Sequence, residues 1–145
     1  MHIFKSFKKE NKEIVDNRSC KTKRVDYLTV ISGNSIAEMD IPPFGEGKWE
    51  SEKRYKMLME EMQPMFEEFK KKGLLDTTYP LNGSVEEISL YNLRQKCVDL
   101  FISDSITTIK TKSNEYKVAS NGRHRMFVAK KYGFDILIHV NEEEI

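Results

Sequence analysis

The sequence is poor in the residues that fix a fold or a chemistry on their own. It has two cysteines, Cys20 and Cys97, far apart and outside any C-x-x-C pair. That excludes a disulfide framework and a thiolate zinc site, and it fits a reducing cytoplasm. The three histidines, His2, His124 and His139, are too scattered to have metal-ligand spacing, so no metal site of the protein's own is expected. Net charge is scarce as well. A formal +1 removes bulk charge as a pointer to nucleic acid. No apolar run approaches the ~20 residues of a membrane span, and no membrane partner is expected. The apolar residues at the N-terminus are broken by charge, unlike a signal peptide. No Gly-x-x-x-x-Gly-Lys-Ser/Thr loop occurs, which removes the standard nucleotide-hydrolase cradle.

What is present suits a single soluble domain. The 145 residues are 39% hydrophobic and 32% charged, enough for one core. Charge is uneven: residues 1–24 hold eight Lys/Arg against three Asp/Glu, a net of +5. This basic arm reads as a solvated tail or as a contact for DNA, RNA or a membrane surface. Within it, Ile3, Phe4, Phe7 and Ile14 would lie on one side of a short helix over 1–16. The remainder, 25–145, reads as the folded domain.

Periodicity gives the elements. Residues 25–31 are rich in β-branched side chains and predict a strand, and 35–41 predict a second short extended piece. Residues 42–47 are a loop by composition. Over 51–72, Tyr55, Leu58, Met59, Met62, Met65, Phe66 and Phe69 recur at three- and four-residue steps, one stripe of a helix that Gly73 stops. Pro64 interrupts it and predicts a kink or two abutting helices. Asn82-Gly83 is a turn. Ser84 followed by Glu87 is a capping-box signature for a helix running to about residue 101. Strands at 106–110 and 115–119 follow, turned at Ser113-Asn114. A short helix closes at Gly133, and 135–140 is an apolar strand of the kind found in a doubly covered sheet. The order indicates an α+β domain, a small mixed sheet with flanking helices. The helix between 119 and 136 predicts a right-handed crossover that sets its N-terminus at a strand's carboxyl end.

Chemistry is densest at Ser120-Asn121-Gly122-Arg123-His124-Arg125. A glycine turn after a strand leads into a helix whose first turn carries two guanidiniums and an imidazole. A helix start presents unpaired N–H groups and a positive dipole end. Asn121, Gly122, Arg123, His124 and Arg125 are therefore the candidate phosphate-binding residues. Asn121 or Ser120 is expected to cap the helix.

The blocks 106–110, 116–120, 121–125, 129–133 and 136–140 together resemble the ParB/sulfiredoxin superfamily over residues 104–141. The Gly73-Leu74-Leu75 segment is a weaker upstream echo. The resemblance implies a ParB/sulfiredoxin-like fold with a helical insertion around 82–103, and a nucleotide at the Gly122 turn. Arg123 stands where sulfiredoxins carry their catalytic cysteine, so sulfinate repair is not implied. The ParB Glu-Asn motif and helix-turn-helix are not found in these residues, so partition-type DNA reading is not expected. Single-domain relatives with a Gly-His-His-Arg-like motif include a kinase of free serine, which implies phosphoryl transfer. That chemistry needs a carboxylate. Glu38 is the candidate catalytic carboxylate, with Asp40 and Glu46 nearby, and His124 the candidate catalytic partner. The implied cofactor is a nucleotide with Mg²⁺. Two readings stay open: a nucleotide- or phosphate-binding phosphotransferase or nucleotide hydrolase, and a nucleic-acid-binding module or nuclease using the basic arm with Arg123 and Arg125.

Overall fold

The apolar run after Gly133 becomes the centre of the sheet. In the computed structural model, which describes residues 10–13, 23–46 and 51–144, strand β5 (Asp135–Glu144) lies between β2 (Lys23–Ser32) and β3 (Thr107–Lys110). Two edge strands, β1 (Glu10–Glu13) and β4 (Tyr116–Val118), complete the order β1-β2-β5-β3-β4. β5 runs antiparallel to β2 along all ten residues, Ile31 opposite Ile136 and Leu28 opposite His139. It runs parallel to β3, which turns back into β4. Neighbouring side chains on a strand point to opposite faces. The consecutive burial of Ile136, Leu137 and Ile138 therefore means that both faces are covered there.

Among the described residues three α-helices flank this mixed sheet, and the class is α+β: α1 (Glu52–Lys72), α2 (Val85–Cys97) and α3 (Arg123–Tyr132). α1 packs on β2, β5 and α3. Its stripe buries Met59, Met62, Met65, Phe66 and Phe69, so these three methionines fill core while Met57 is exposed. α1 is continuous through Pro64, not two abutting helices. An interior proline costs roughly 3 kcal/mol. Here Pro64 and Glu60, whose carbonyl loses its helical partner, are both on the solvent side, where that carbonyl is open to solvation. Among the described residues no helix is long and apolar enough to cross a membrane.

Caps follow the sequence in part. Ser51 accepts from the Arg54 N–H and Ser84 from the Glu87 N–H. The Glu87 carboxylate reaches back past Ser84 to the Asn82 N–H, because Asn82 Oδ1 already holds the Ser84 N–H at 2.8 Å. α2 then runs into a π-helical turn, Val98–Ser103.

Three expectations are corrected. Residues 1–16 do not form one helix: Glu10–Glu13 is a strand, paired with the open edge that β2 offers at residues 23–26, and the rest of 1–16 lies outside the described residues, as does most of the basic arm. The extended piece expected at 35–41 begins one residue late, at Ile36, and forms no strand of its own. Gly33–Ser35 is a 3₁₀ turn and only Ile36 bridges, in parallel, to Tyr116. Finally, α3 is not a crossover between parallel strands. It joins edge strand β4 to β5, two places away and antiparallel to it, so the handedness rule for parallel pairs does not govern it. The α3 N-terminus stands at the carboxyl end of β4, which is the amino end of β3.

Cys97 is fully buried where α2 meets α1. Burial, with a smaller contribution from the Glu68 carboxylate, pushes its thiol up to about 12 from the usual 9.0. A raised folded-state pKa gives stability that is complete below pH 9 and is lost as pH rises toward 12. The stability advantage of the wild type over Cys97→Ala should therefore fall by about 1.4 kcal/mol per pH unit in denaturant titrations above that point. A difference that stays flat with pH would contradict this environment.

Candidate functional site

Gly122 decides how α3 begins. Its φ is 107°, and a Cβ there would come within 2.6 Å of both γ-carbons of Ile106, a fully buried side chain. Only glycine allows both the left-handed turn and this approach. Gly122 is the N-cap residue and offers no side chain to the helix. The expected cap by Asn121 or Ser120 is not formed. The Asn121 amide donates instead to Asp104 Oδ1 (2.8 Å) and to the Ser105 carbonyl (3.0 Å). The Ser120 hydroxyl pairs with Thr107 at 2.7 Å. The Asn121 carbonyl accepts from the Thr107 N–H. Both residues tie the turn to the segment entering β3. The N–H groups of the first turn of α3 receive no side-chain cap among the described residues.

The three residues after Gly122 diverge. Arg125 points inward and is 7% exposed. Its Nη1 donates to the carbonyls of Leu100 (2.6 Å) and Asp104 (2.7 Å), its Nη2 is 3.8 Å from the Asp104 carboxylate, and its guanidinium lies 5.6 Å from the Phe101 ring centre. These carbonyls close the π-turn, where a helix end leaves acceptors unpaired. Burial lowers the Arg125 pKa, and Asp104 opposes that shift. Arg125 is thus a clasp between α3 and the end of the π-turn rather than a free anion ligand.

His124 enters an aromatic group. Its ring stacks on Tyr55 at 5.4 Å and 15°, meets Phe44 edge-on at 5.0 Å, and brings Nε2 within 3.3 Å of the Pro43 carbonyl. Phe44 also touches Phe127 and Tyr55. This cluster holds the 42–45 loop between α1 and α3.

Only Arg123 faces outward. It lines a cleft of about 430 Å³ with Glu38, Met39, Asp40, Lys117 and Val118. The bridge between Ile36 and Tyr116, with the Ala37 N–H bonded to the Tyr116 carbonyl at 2.9 Å, lays the residues after Ile36 alongside β4 and brings Glu38 and Asp40 to this cleft. The structure therefore joins Arg123 and Glu38, which are far apart in sequence, and separates both from His124 and Arg125. Glu46 lies elsewhere, with Phe44 near the start of α1. Among the described residues no group of three or more His, Cys, Asp or Glu side chains is placed to hold a metal ion. A Mg²⁺ ion here would rest on two carboxylates and on oxygens of the ligand itself, its usual manner of binding with phosphates.

Sequence reasoning missed Lys117, a lone lysine on a three-residue strand whose position depends wholly on the pairing of β4. It also missed the inward turn of Arg125. That signal was available: Arg125 stands three and four residues before Val128 and Ala129, both buried, so it begins the apolar face of α3. Comparisons with protein families, with curated proteins and with solved structures find no match.

Removing the clasp takes a charged donor from two part-buried carbonyls, and hydrogen bonds to charged groups contribute about 1.5–3 kcal/mol each. Arg125→Ala should lower stability by about 2–3 kcal/mol in urea unfolding, the loss expected from its charged hydrogen bonds. Arg123→Ala, an exposed change, should stay within about 0.5 kcal/mol of wild type. Equal effects of the two substitutions would contradict the division of roles.

Proposed function

We propose that the cleft beside the start of α3 binds the phosphates of a nucleotide with Mg²⁺, and that the protein is a phosphotransferase or nucleotide hydrolase. One observation carries this reading: Arg123, Lys117, Glu38 and Asp40 line a single cleft next to a helix start without a side-chain cap. Arg123 and Lys117 supply positive charge for phosphate oxygens. The open N–H groups of α3 add directed donors. Glu38 and Asp40 serve either the ion or the nucleophile. In the second role a carboxylate takes the proton of an attacking hydroxyl or water while the bond from phosphorus to the leaving phosphate oxygen breaks. Both carboxylates are exposed, so an incoming ligand reaches them directly. The likeness of residues 104–141 to the ParB/sulfiredoxin superfamily favours a nucleotide over free phosphate. In this reading His124 and Arg125 are framework, and the phosphate contacts fall to Arg123, Lys117 and the helix start.

Thermal unfolding with ATP, ADP, CTP or GTP, each with Mg²⁺, tests it. A ligand at a hundredfold excess over its Kd adds about 2.7 kcal/mol, a rise of roughly 5–10 °C for a domain of this size. Arg123→Ala should abolish the rise. Arg125→Ala should lower the starting Tm yet keep a rise. No response to any nucleotide, or a full response in Arg123→Ala, would overturn the assignment.

A further inference from the structure

α2 carries two apolar faces on opposite sides. Leu93 and Cys97 join the core together with Val98 and Phe101 of the π-turn. On the other side Val85, Ile88 and Tyr91 recur at three-residue steps. The Tyr79 ring packs 5.2 Å from that of Tyr91, which extends the stripe onto the preceding loop. Exposure is high: Leu81 100%, Tyr79 78%, Val85 77% and Ile88 43%. A helix that is apolar on opposite sides is normally covered on both.

α2 is not free to roll and bury this stripe within its own chain. Arg94 Nε holds both Glu68 oxygens, at 3.1 and 3.2 Å. Lys96 Nζ holds Glu61 at 2.6 Å. Both bonds fasten α2 to α1 with the inner face down. With roughly 150–250 Å² for a large buried side chain, the outer stripe leaves on the order of 500 Å² of apolar surface. That is large for a monomer. It also matches the apolar share of the ~800 Å² that one partner brings to a stable interface.

We propose that this stripe pairs two copies of the chain, α2 against α2, antiparallel about a twofold axis. The occupant follows from the size of the stripe, which supplies one side of a two-copy interface by itself. Arg94 and Lys96 stay with Glu68 and Glu61 of α1, and an antiparallel pair opposes the two helix dipoles. A twofold contact also places Val85 and Leu81 of one copy toward Tyr91 and Tyr79 of the other, so one patch serves both sides. The cleft at Arg123 takes no part in this contact.

Sedimentation velocity of the full chain from micromolar to millimolar concentration tests it. The wild type should reach twice the monomer mass in that range. Leu81→Glu and Ile88→Glu should each weaken pairing at least tenfold, with circular dichroism unchanged because both side chains are exposed. Ile109→Glu, an exposed change on the sheet, should pair like wild type. A wild type that stays monomeric to millimolar concentration overturns the proposal, and the stripe then belongs to a different protein. A dimer that survives both stripe substitutions also overturns it.

Discussion

Arg125 is carried on α3 but its charge is used on the end of the π-turn, where the carbonyls of Leu100 and Asp104 meet its Nη1. Much of the local geometry depends on that contact. It orders the exit from the π-turn, and the ordered exit presents Asp104 and Ser105 to the Asn121 amide. Asn121 and Ser120 are then drawn to Thr107, and Gly122 is pressed on Ile106. The start of α3 is therefore fixed from two sides, by a buried cation behind it and by a hydrogen-bonded turn before it. Charged hydrogen bonds of this kind contribute about 1.5–3 kcal/mol each. A preset helix start has no ordering cost when an anion arrives, and this links the clasp to the proposed binding.

The far end of α3 is held as firmly. Gly33 sits against α3 so closely that a Cβ would fall 2.0 Å from the Ala129 carbonyl oxygen, and its N–H bonds to the Phe134 carbonyl at 2.8 Å. Glu52 accepts from Tyr132 and from Lys131 there, and those bonds, the first most of all, lower its pKa. Gln63 ties α1 to β5 through both the N–H and the C=O of Asp135. With its two ends tied to different elements, α3 meets solvent at its last turn, through Lys131 and Tyr132, and at its first turn, where Arg123 is the exposed residue.

Much of the fold was legible in the sequence, because most of its signals are local. Hydrophobic periodicity places α1, glycines mark both ends of α3, and the Ser-x-x-Glu pattern marks α2. The apolar run at 135–140 reads as a doubly covered strand. What failed was non-local. A strand at Glu10–Glu13 depends on a free edge elsewhere in the sheet. The order of β3, β4 and β5 depends on a register that no single segment encodes, so the crossover expectation went wrong with it. At the site, the Arg-His-Arg triplet reads as one cationic cluster, but successive helical positions turn by about 100°. Three neighbours therefore face three environments: solvent, an aromatic group and the core. Glu38 lines the cleft beside Arg123, and the contact that brings it there, the Ile36 bridge, leaves no mark in the sequence beyond a single isoleucine.

The central claim is that the open start of α3 and the Glu38–Arg123 cleft form one phosphate site. The most direct measurement follows backbone amides by heteronuclear NMR while a nucleotide with Mg²⁺ is titrated in. The account predicts saturable shifts at the amides of Arg123, His124 and Arg125 and at Lys117, Glu38 and Asp40, with the Leu100–Asp104 amides little changed. Shifts confined to other parts of the sheet, or none at saturating nucleotide, would contradict it.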